Sequence, residues 1–312
     1  MKIPVPALLL LPLLALAAGP DPDAKAARLA EAERLAAGLH YRTGVVELGD
    51  HLARVSAGSG YKFLGAADSA TLLSGIWRNP PQPDVLGCVM PADFDPLERG
   101  SWLVVISYSA DGYVRDADAG KIDYADLLQK LKDATAEANK ERVARGYPSI
   151  EVVGWAEPPR YDPATHKLYW AKEIRFGTSP QNTLNYNFRI LGRGGVLVLN
   201  AVAPMSRLGD VKQATPAILS MVDFEPGHRY ADFTEGTDKV ATYGVAALVL
   251  GGIAAKAGLL KGVWVALLAL KKFIILGFLA LLRYAKRARD WIRGRFSREK
   301  PHPALEPPAG SP

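Results

Sequence analysis

Between Leu184 and Ile190 the chain alternates with a period of two. Leu184, Tyr186, Phe188 and Ile190 point one way, and Asn185, Asn187 and Arg189 point the other. Successive side chains leave opposite faces of a strand, so this spacing builds a strand and no helix. Leu168, Trp170, Ile174 and Phe176 repeat the signal, with Lys172 interrupting their face. A polar row opposite an apolar row predicts an antiparallel sheet with one solvated face.

Other segments agree with that sheet. Thr43–Leu48 and Leu52–Val55 flank Gly49-Asp50, which predicts a hairpin. Val85–Met90, Trp102–Tyr108, Ile150–Trp155 and Val196–Ala203 are further β-rich runs. Helices fall between groups of strands. An Ala-rich stretch ends at Gly38, and Asp68 is placed to cap a short helix through Leu72, Leu73 and Trp77 before Asn79-Pro80-Pro81. The longest helix, Tyr124–Arg145, carries the stripe Leu127, Leu128, Leu131, Ala134, Ala138 and Val143. A last one carries Val211, Ala214, Ile218, Met221 and Val222, with Pro216 kinking it or opening its second half. Consecutive strands with segregated helices predict an α+β fold, an antiparallel sheet with helices packed on it.

The two ends set the location. Residues 1–18 read as a signal peptide, with Lys2, an apolar run Leu8–Leu16 and the small-x-small site Ala15-Leu16-Ala17. A helix over 19–40 and an extracytoplasmic domain over 41–232 follow. Residues 243–282 are almost wholly apolar, and 283–312 form a basic, then disordered tail. The net charge is +6, and the tail alone, with eight basic and two acidic residues from Arg283 to Lys300, supplies that excess. The body is therefore neutral, which argues against nucleic acid as a partner. Basic residues beside an apolar segment fit the cytoplasmic side of an inner (cytoplasmic) membrane. Membrane lipid is then one partner and another envelope protein a second.

How the apolar end crosses is open. Tyr243–Leu260, as a helix of about 27 Å, just spans a bilayer. Gly262–Leu282 is the alternative, at the expense of Lys271 and Lys272 near mid-bilayer, roughly 2.5–3.5 kcal/mol each. Both crossing as a hairpin would return the tail to the outside. Association through these transmembrane helices would make an oligomer.

Chemical motifs are scarce. Cys88 is the only cysteine, so no internal disulfide forms. His40, His51, His166, His228 and His302 show no metal-ligand spacing, and neither a nucleophile elbow nor a phosphate loop is present. Asp111, Asp116, Asp118 and Asp123 resemble a calcium loop only loosely, since Lys121 and Leu127 stand where Gly and Glu are needed. No catalytic, cofactor-binding or metal residue is assigned. The unusual segment is Gly154–Asp162, a Pro-rich loop between two strands. Trp155, Pro158, Pro159, Tyr161, Asp162 and His166 form a candidate ligand or partner surface there, with Tyr169 and Trp170 nearby. Aromatic faces of this kind stack a sugar or hold a peptide. His166 with Asp162 would also make a base and its orienting carboxylate. The competing reading makes Trp155 and Trp170 core residues and the prolines loop shapers.

Several longer motifs carry a family resemblance: Asn79-Pro-Pro-Gln-Pro-Asp-Val-Leu-Gly87, Pro91-Ala-Asp-Phe-Asp-Pro96, Lys121-Ile-Asp-Tyr-Ala-Asp-Leu-Leu128, Gly154-Trp-Ala-Glu-Pro-Pro-Arg-Tyr-Asp162, Leu184-Asn-Tyr186 and Phe224-Glu-Pro-Gly-His-Arg-Tyr-Ala-Asp232. With them the chain resembles the bacterial domain-of-unknown-function family 2167, membrane-anchored proteins, over Thr43–Leu282. The resemblance implies no activity, cofactor or site residue. The element order also resembles the PsbP-like α+β fold. The expectation is a membrane-anchored extracytoplasmic domain, a non-enzymatic interaction, assembly or envelope-stress accessory. The alternative is a ligand-binding or hydrolytic envelope enzyme with a cleft near Trp155, Tyr161, Asp162 and His166.

Overall fold

The alternating strand at 184–190 lies inside a seven-stranded sheet, and both of its faces are dry. The computed structural model describes residues 22–98 and 100–250. The chain divides into two compact units, 1–255 and 256–312, and every described residue belongs to the first. The signal peptide, the basic tail and the apolar run beyond residue 250 lie outside the described residues. Among the described residues no helix is long and apolar enough to cross a membrane.

In chain order the elements are α1 (Pro22–Ala37), β1 (Gly44–Leu48), β2 (Ala53–Ala57), β3 (Tyr61–Gly65), α2 (Ala66–Ala70) running into a π-helical turn (Thr71–Ile76), β4 (Val85–Pro91) and β5 (Leu103–Ser109). Then come α3 (Tyr124–Ala144), β6 (Ile150–Asp162), β7 (Lys167–Phe176), β8 (Thr183–Leu191), β9 (Val196–Pro204), α4 (Leu208–Met221), β10 (Val222–Phe224) and α5 (Val245–Val249). The large sheet has the order β3-β4-β5-β9-β8-β7-β6 with antiparallel neighbours, and a small sheet has the order β1-β2-β10. The α+β class with antiparallel sheets is as the alternation predicts. The hairpin at Gly49-Asp50 also forms, with Gly49, Asp50 and His51 all at positive φ.

One face of the large sheet is mainly apolar, with the buried Glu157 accepting from Tyr186 Oη at 2.8 Å. Phe63, Val104, Leu184, Tyr186, Phe188 and Leu199 pack there with Val46, Val55 and Phe224 of the small sheet and with Val211 and Ile218 of α4. We call this the sandwich face. The opposite face is covered piecemeal. Towards β3–β5, Leu64, Cys88, Met90 and Val105 pack with Leu72, Leu73 and Trp77. Towards β7–β9, Leu168, Trp170, Leu191 and Val196 share a cluster with Val114, Leu127, Tyr230, Val245, Leu248 and Val249.

Between these two clusters runs a polar strip. Lys172 is 5% exposed, Asn185 4%, Asn187 3% and Arg189 8%. The expectation of a solvated face is thus corrected: the residues that alternate outward from Leu184 and Tyr186 are buried too. Distant segments supply the second cover, so alternation here marks two different interiors rather than inside and outside.

Four local readings are also corrected. The Pro-rich segment is no loop; β6 runs through it to Asp162, with irregularities between Val152 and Gly154 and between Trp155 and Arg160. Proline lacks a ladder donor and is tolerated because β6 is an edge strand. On α3 only Leu127 and Leu131 are buried, while Val143 is 56% exposed. Val222 opens β10 rather than closing α4, which contains Pro216 inside the helix. Asp68 lies within α2, whose N-cap is Gly65.

The start of the apolar run belongs to the body. Tyr243 Oη donates to Asp111 Oδ2, and the backbone N–H groups of Val245 and Ala246 donate to the two oxygens of Asp118 at 3.0 and 3.4 Å. A side chain on Gly244 would collide with that Asp118 carboxylate. Val245 is fully buried and Val249 nearly so. The described part of the apolar run, up to Leu250, thus packs on the body, and the rest of the Tyr243–Leu260 and Gly262–Leu282 readings lies outside the described residues.

Candidate functional site

The hairpin β6–β7 gathers the sequence candidates at one end of the large sheet. Its turn is set by Asp162, whose carboxylate accepts from Ala164 N at 2.9 Å and from Thr165 Oγ1 at 2.6 Å. A carboxylate that bonds the backbone two residues on makes a turn of its own. His166 then takes a left-handed conformation, φ 53°, and its carbonyl accepts from Leu191 N at 3.0 Å. This geometry ties Asp162 to its own turn and turns His166 towards a different carboxylate.

That carboxylate is Asp116. Tyr161 Oη donates to Asp116 Oδ2 at 2.6 Å and lies 3.1 Å from His166 Nδ1, and His166 Nδ1 is 3.6 Å from Asp116 Oδ2. Behind them the His166 ring rests on Tyr230 at 4.1 Å, Tyr230 stacks on Tyr113 at 4.3 Å, and Tyr113 stacks on Phe233 at 3.8 Å. Tyr230 Oη donates to the Val114 carbonyl at 3.0 Å. Burial alone would raise the Asp116 carboxyl, but the Tyr161 hydroxyl and a backbone hydrogen bond outweigh it, and the net displacement is downward. The Tyr161 hydroxyl is pushed up by burial and by the bond it donates to Asp116. It stays a protonated donor at any physiological pH and is no nucleophile.

Trp155 Nε1 donates to the Tyr124 carbonyl at 3.1 Å, in the first turn of α3. Asp123 caps the same turn, accepting from Ala125 N at 2.9 Å and Asp126 N at 3.1 Å. The four aspartates read as a loose calcium loop are thus distributed. Asp111 holds Tyr243, Asp116 holds Tyr161, Asp118 holds the start of α5, and Asp123 caps α3. Outside this network, Tyr124, Pro158, Pro159, Arg160, Tyr161, Asp162 and Tyr169 line a wide-open groove of about 660 Å³. Pro158, Pro159, Tyr161 and Asp162 therefore do share a surface. Trp155 and His166 do not line it.

The polar strip is the feature that the sequence reading passed over as solvated. Its one sequence signal is Lys172, which breaks the apolar row Leu168, Trp170, Ile174 and Phe176. Arg189 Nη1 donates to the Phe188 carbonyl at 2.8 Å, and the Arg189 guanidinium lies 4.9 Å from the centre of the Trp170 ring. Asn187 Nδ2 donates to both oxygens of Asn185, at 2.8 and 3.1 Å. Burial, with the neighbouring Arg189 charge, draws the Lys172 ammonium down to about 7, and burial draws Arg189 down to about 9.

A family model matches residues 40–282. The chain belongs to the family described as protein of unknown function (DUF2167). The DUF2167 match takes in the whole of both sheets, the Asp116–Tyr161–His166 network and the buried strip. No curated protein matches. Among solved structures the chain is similar to cyanobacterial PsbP (CyanoP) from Synechocystis sp. PCC 6803, at 12% identity and a TM-score of 0.32, over 60% of this chain and 92% of that one. It is also similar to LpqN, involved in cell envelope biogenesis of Mycobacterium tuberculosis, at 16% identity and a TM-score of 0.30, over 61% of this chain and 95% of that one.

Proposed function

We propose that this DUF2167 protein is an exported, non-enzymatic accessory domain of the cell envelope, held at the inner membrane by its apolar C-terminal segment and recognising another envelope protein. The observation that carries the reading is the attachment of Tyr243–Leu250 to the body through Asp111, Asp118 and the buried Val245, Leu248 and Val249. A structural rather than catalytic role is favoured because Asp162 is engaged in its own turn and Tyr161 is a locked donor to Asp116.

Location is tested by cysteine labelling in spheroplasts. Cys88 is fully buried, and burial pushes its thiol up to about 12, so it stays silent. Val143→Cys, on the exposed face of α3, should react with a membrane-impermeant maleimide in intact cells, and Ser297→Cys in the tail only after lysis. Labelling of Val143→Cys only after lysis overturns export, and labelling of both in intact cells overturns a single crossing. Crosslinking from Pro159, replaced by a photoreactive residue, tests the groove. Recovery of a defined envelope protein supports it, and recovery of nothing beyond lipid removes the partner.

A further inference from the structure

Two buried cations on one sheet face form no ion pair with a described carboxylate; Arg189 faces the Tyr243 hydroxyl that donates to Asp111. Lys172 and Arg189 lie on β7 and β8, where Lys172 pairs with Asn185 and Trp170 with Asn187 across the ladder. Directly paired residues of an antiparallel ladder point to the same side, so all of these side chains share the face opposite the sandwich. Both cations are nine-tenths buried or more. Among the described residues no Asp or Glu pairs with either, and the charge that acts on Lys172 is the like charge of Arg189. Trp170 adds a buried indole N–H with no hydrogen-bond partner. Leaving charges and donors in this state is unfavourable unless something answers them.

We propose that the strip formed by Lys172, Arg189 and the Trp170 indole is a binding site for a phosphate-type oxyanion, either free phosphate or the phosphate of an anionic lipid headgroup. A guanidinium and an ammonium on one face, with the Trp170 indole between them, are the kinds of group that take such an ion. Arg189 makes its protein hydrogen bonds through Nη1 alone, to Phe188, Leu199 and Asn200. Among the described residues no hydrogen bond uses its Nε or Nη2. The strip borders solvent through Ser107 and Asn200, both half-buried. Neutralisation by the ion accounts for two like charges in one interior. The burial that draws Lys172 down when the site is empty is the cost the ion would remove. The inference stands independently of the partner proposed above, because it concerns a different face and needs no second protein.

The test uses the full chain in uncharged detergent micelles. The midpoint of thermal unfolding is followed against inorganic phosphate at constant ionic strength, then in micelles doped with phosphatidylglycerol or with phosphatidylcholine. A ligand of the folded state alone raises the midpoint with the logarithm of its concentration. The expected result is such a rise for the wild-type protein, its loss in Lys172→Met, and its retention in Lys172→Arg, which keeps the charge. The basic tail is unchanged in both variants and controls for surface attraction. A rise with phosphate assigns a free anion. A rise with phosphatidylglycerol alone assigns a headgroup. An undiminished rise in Lys172→Met, a rise equal in phosphatidylcholine, or no rise with either anion overturns the proposal.

Discussion

The two faces of the large sheet are built from the same strands and buried to the same degree, yet they differ in kind. The sandwich face is mainly apolar, its buried Glu157 answered by the Tyr186 hydroxyl, and Tyr186 stacks on Phe188 at 4.9 Å. The opposite face is two apolar clusters separated by Lys172, Asn185, Asn187 and Arg189. The first face is arranged for stability. The second carries polar groups that lower stability and therefore point to a use.

Substitutions can sharpen that contrast. Phe188→Ala on the sandwich face should lose about 3–5 kcal/mol in a urea titration, because it opens a cavity in a closed layer. Lys172→Met, one strand away on the other face, should gain about 1–4 kcal/mol at pH 7, since it replaces a buried charge with an apolar side chain. The pH course checks the cause. A lysine lowered in the folded state from 10.5 to about 7 is fully tolerated above its unfolded value. Stability is then lost as pH falls from about 10 to 7 and is flat below. That slope should vanish in Lys172→Met, and equal slopes in both proteins would break the comparison.

Tyr161→Phe should cost about 1–2 kcal/mol near neutrality by leaving Asp116 without its hydroxyl donor. Asp116 is lowered in the folded state, so its contribution is present above the usual carboxylate value and lost as pH falls through the folded one. The deficit of Tyr161→Phe should therefore shrink in acid. Val143→Lys, on the exposed face of α3, should change stability by no more than about 0.5 kcal/mol. A larger loss there would mean that the outer face of α3 is covered.

Much of the chain was legible from spacing alone. Period two located β7 and β8, β-rich composition located β9, turn chemistry located the β1–β2 hairpin, and the apolar stripe through Leu127 and Leu131 located α3. The candidate surface was legible in part, because Pro158, Pro159, Tyr161 and Asp162 are neighbours in sequence and stay together on β6. The partner of His166 was not. Asp116 lies far away along the chain, and Asp162, which is near, is used up by the turn. Tyr230 likewise meets His166 only through folding, and Tyr113 and Phe233 extend the stack behind it.

The sequence by itself determined where strands and helices run, because backbone geometry fixes how often a side chain returns to one face. It also determined that Arg189 leaves the face of Tyr186 and Phe188, whereas the register that sets Lys172 opposite Asn185, and so on the Arg189 face, came only with the assembled sheet. Only the tertiary structure decided that this second face is dry. Local periodicity reports that two faces differ, whereas burial depends on what covers each of them. Here the cover comes from Val114, Tyr230 and the Tyr243–Leu250 segment, which are remote from β8 in the chain and reach it only when the sheet is assembled.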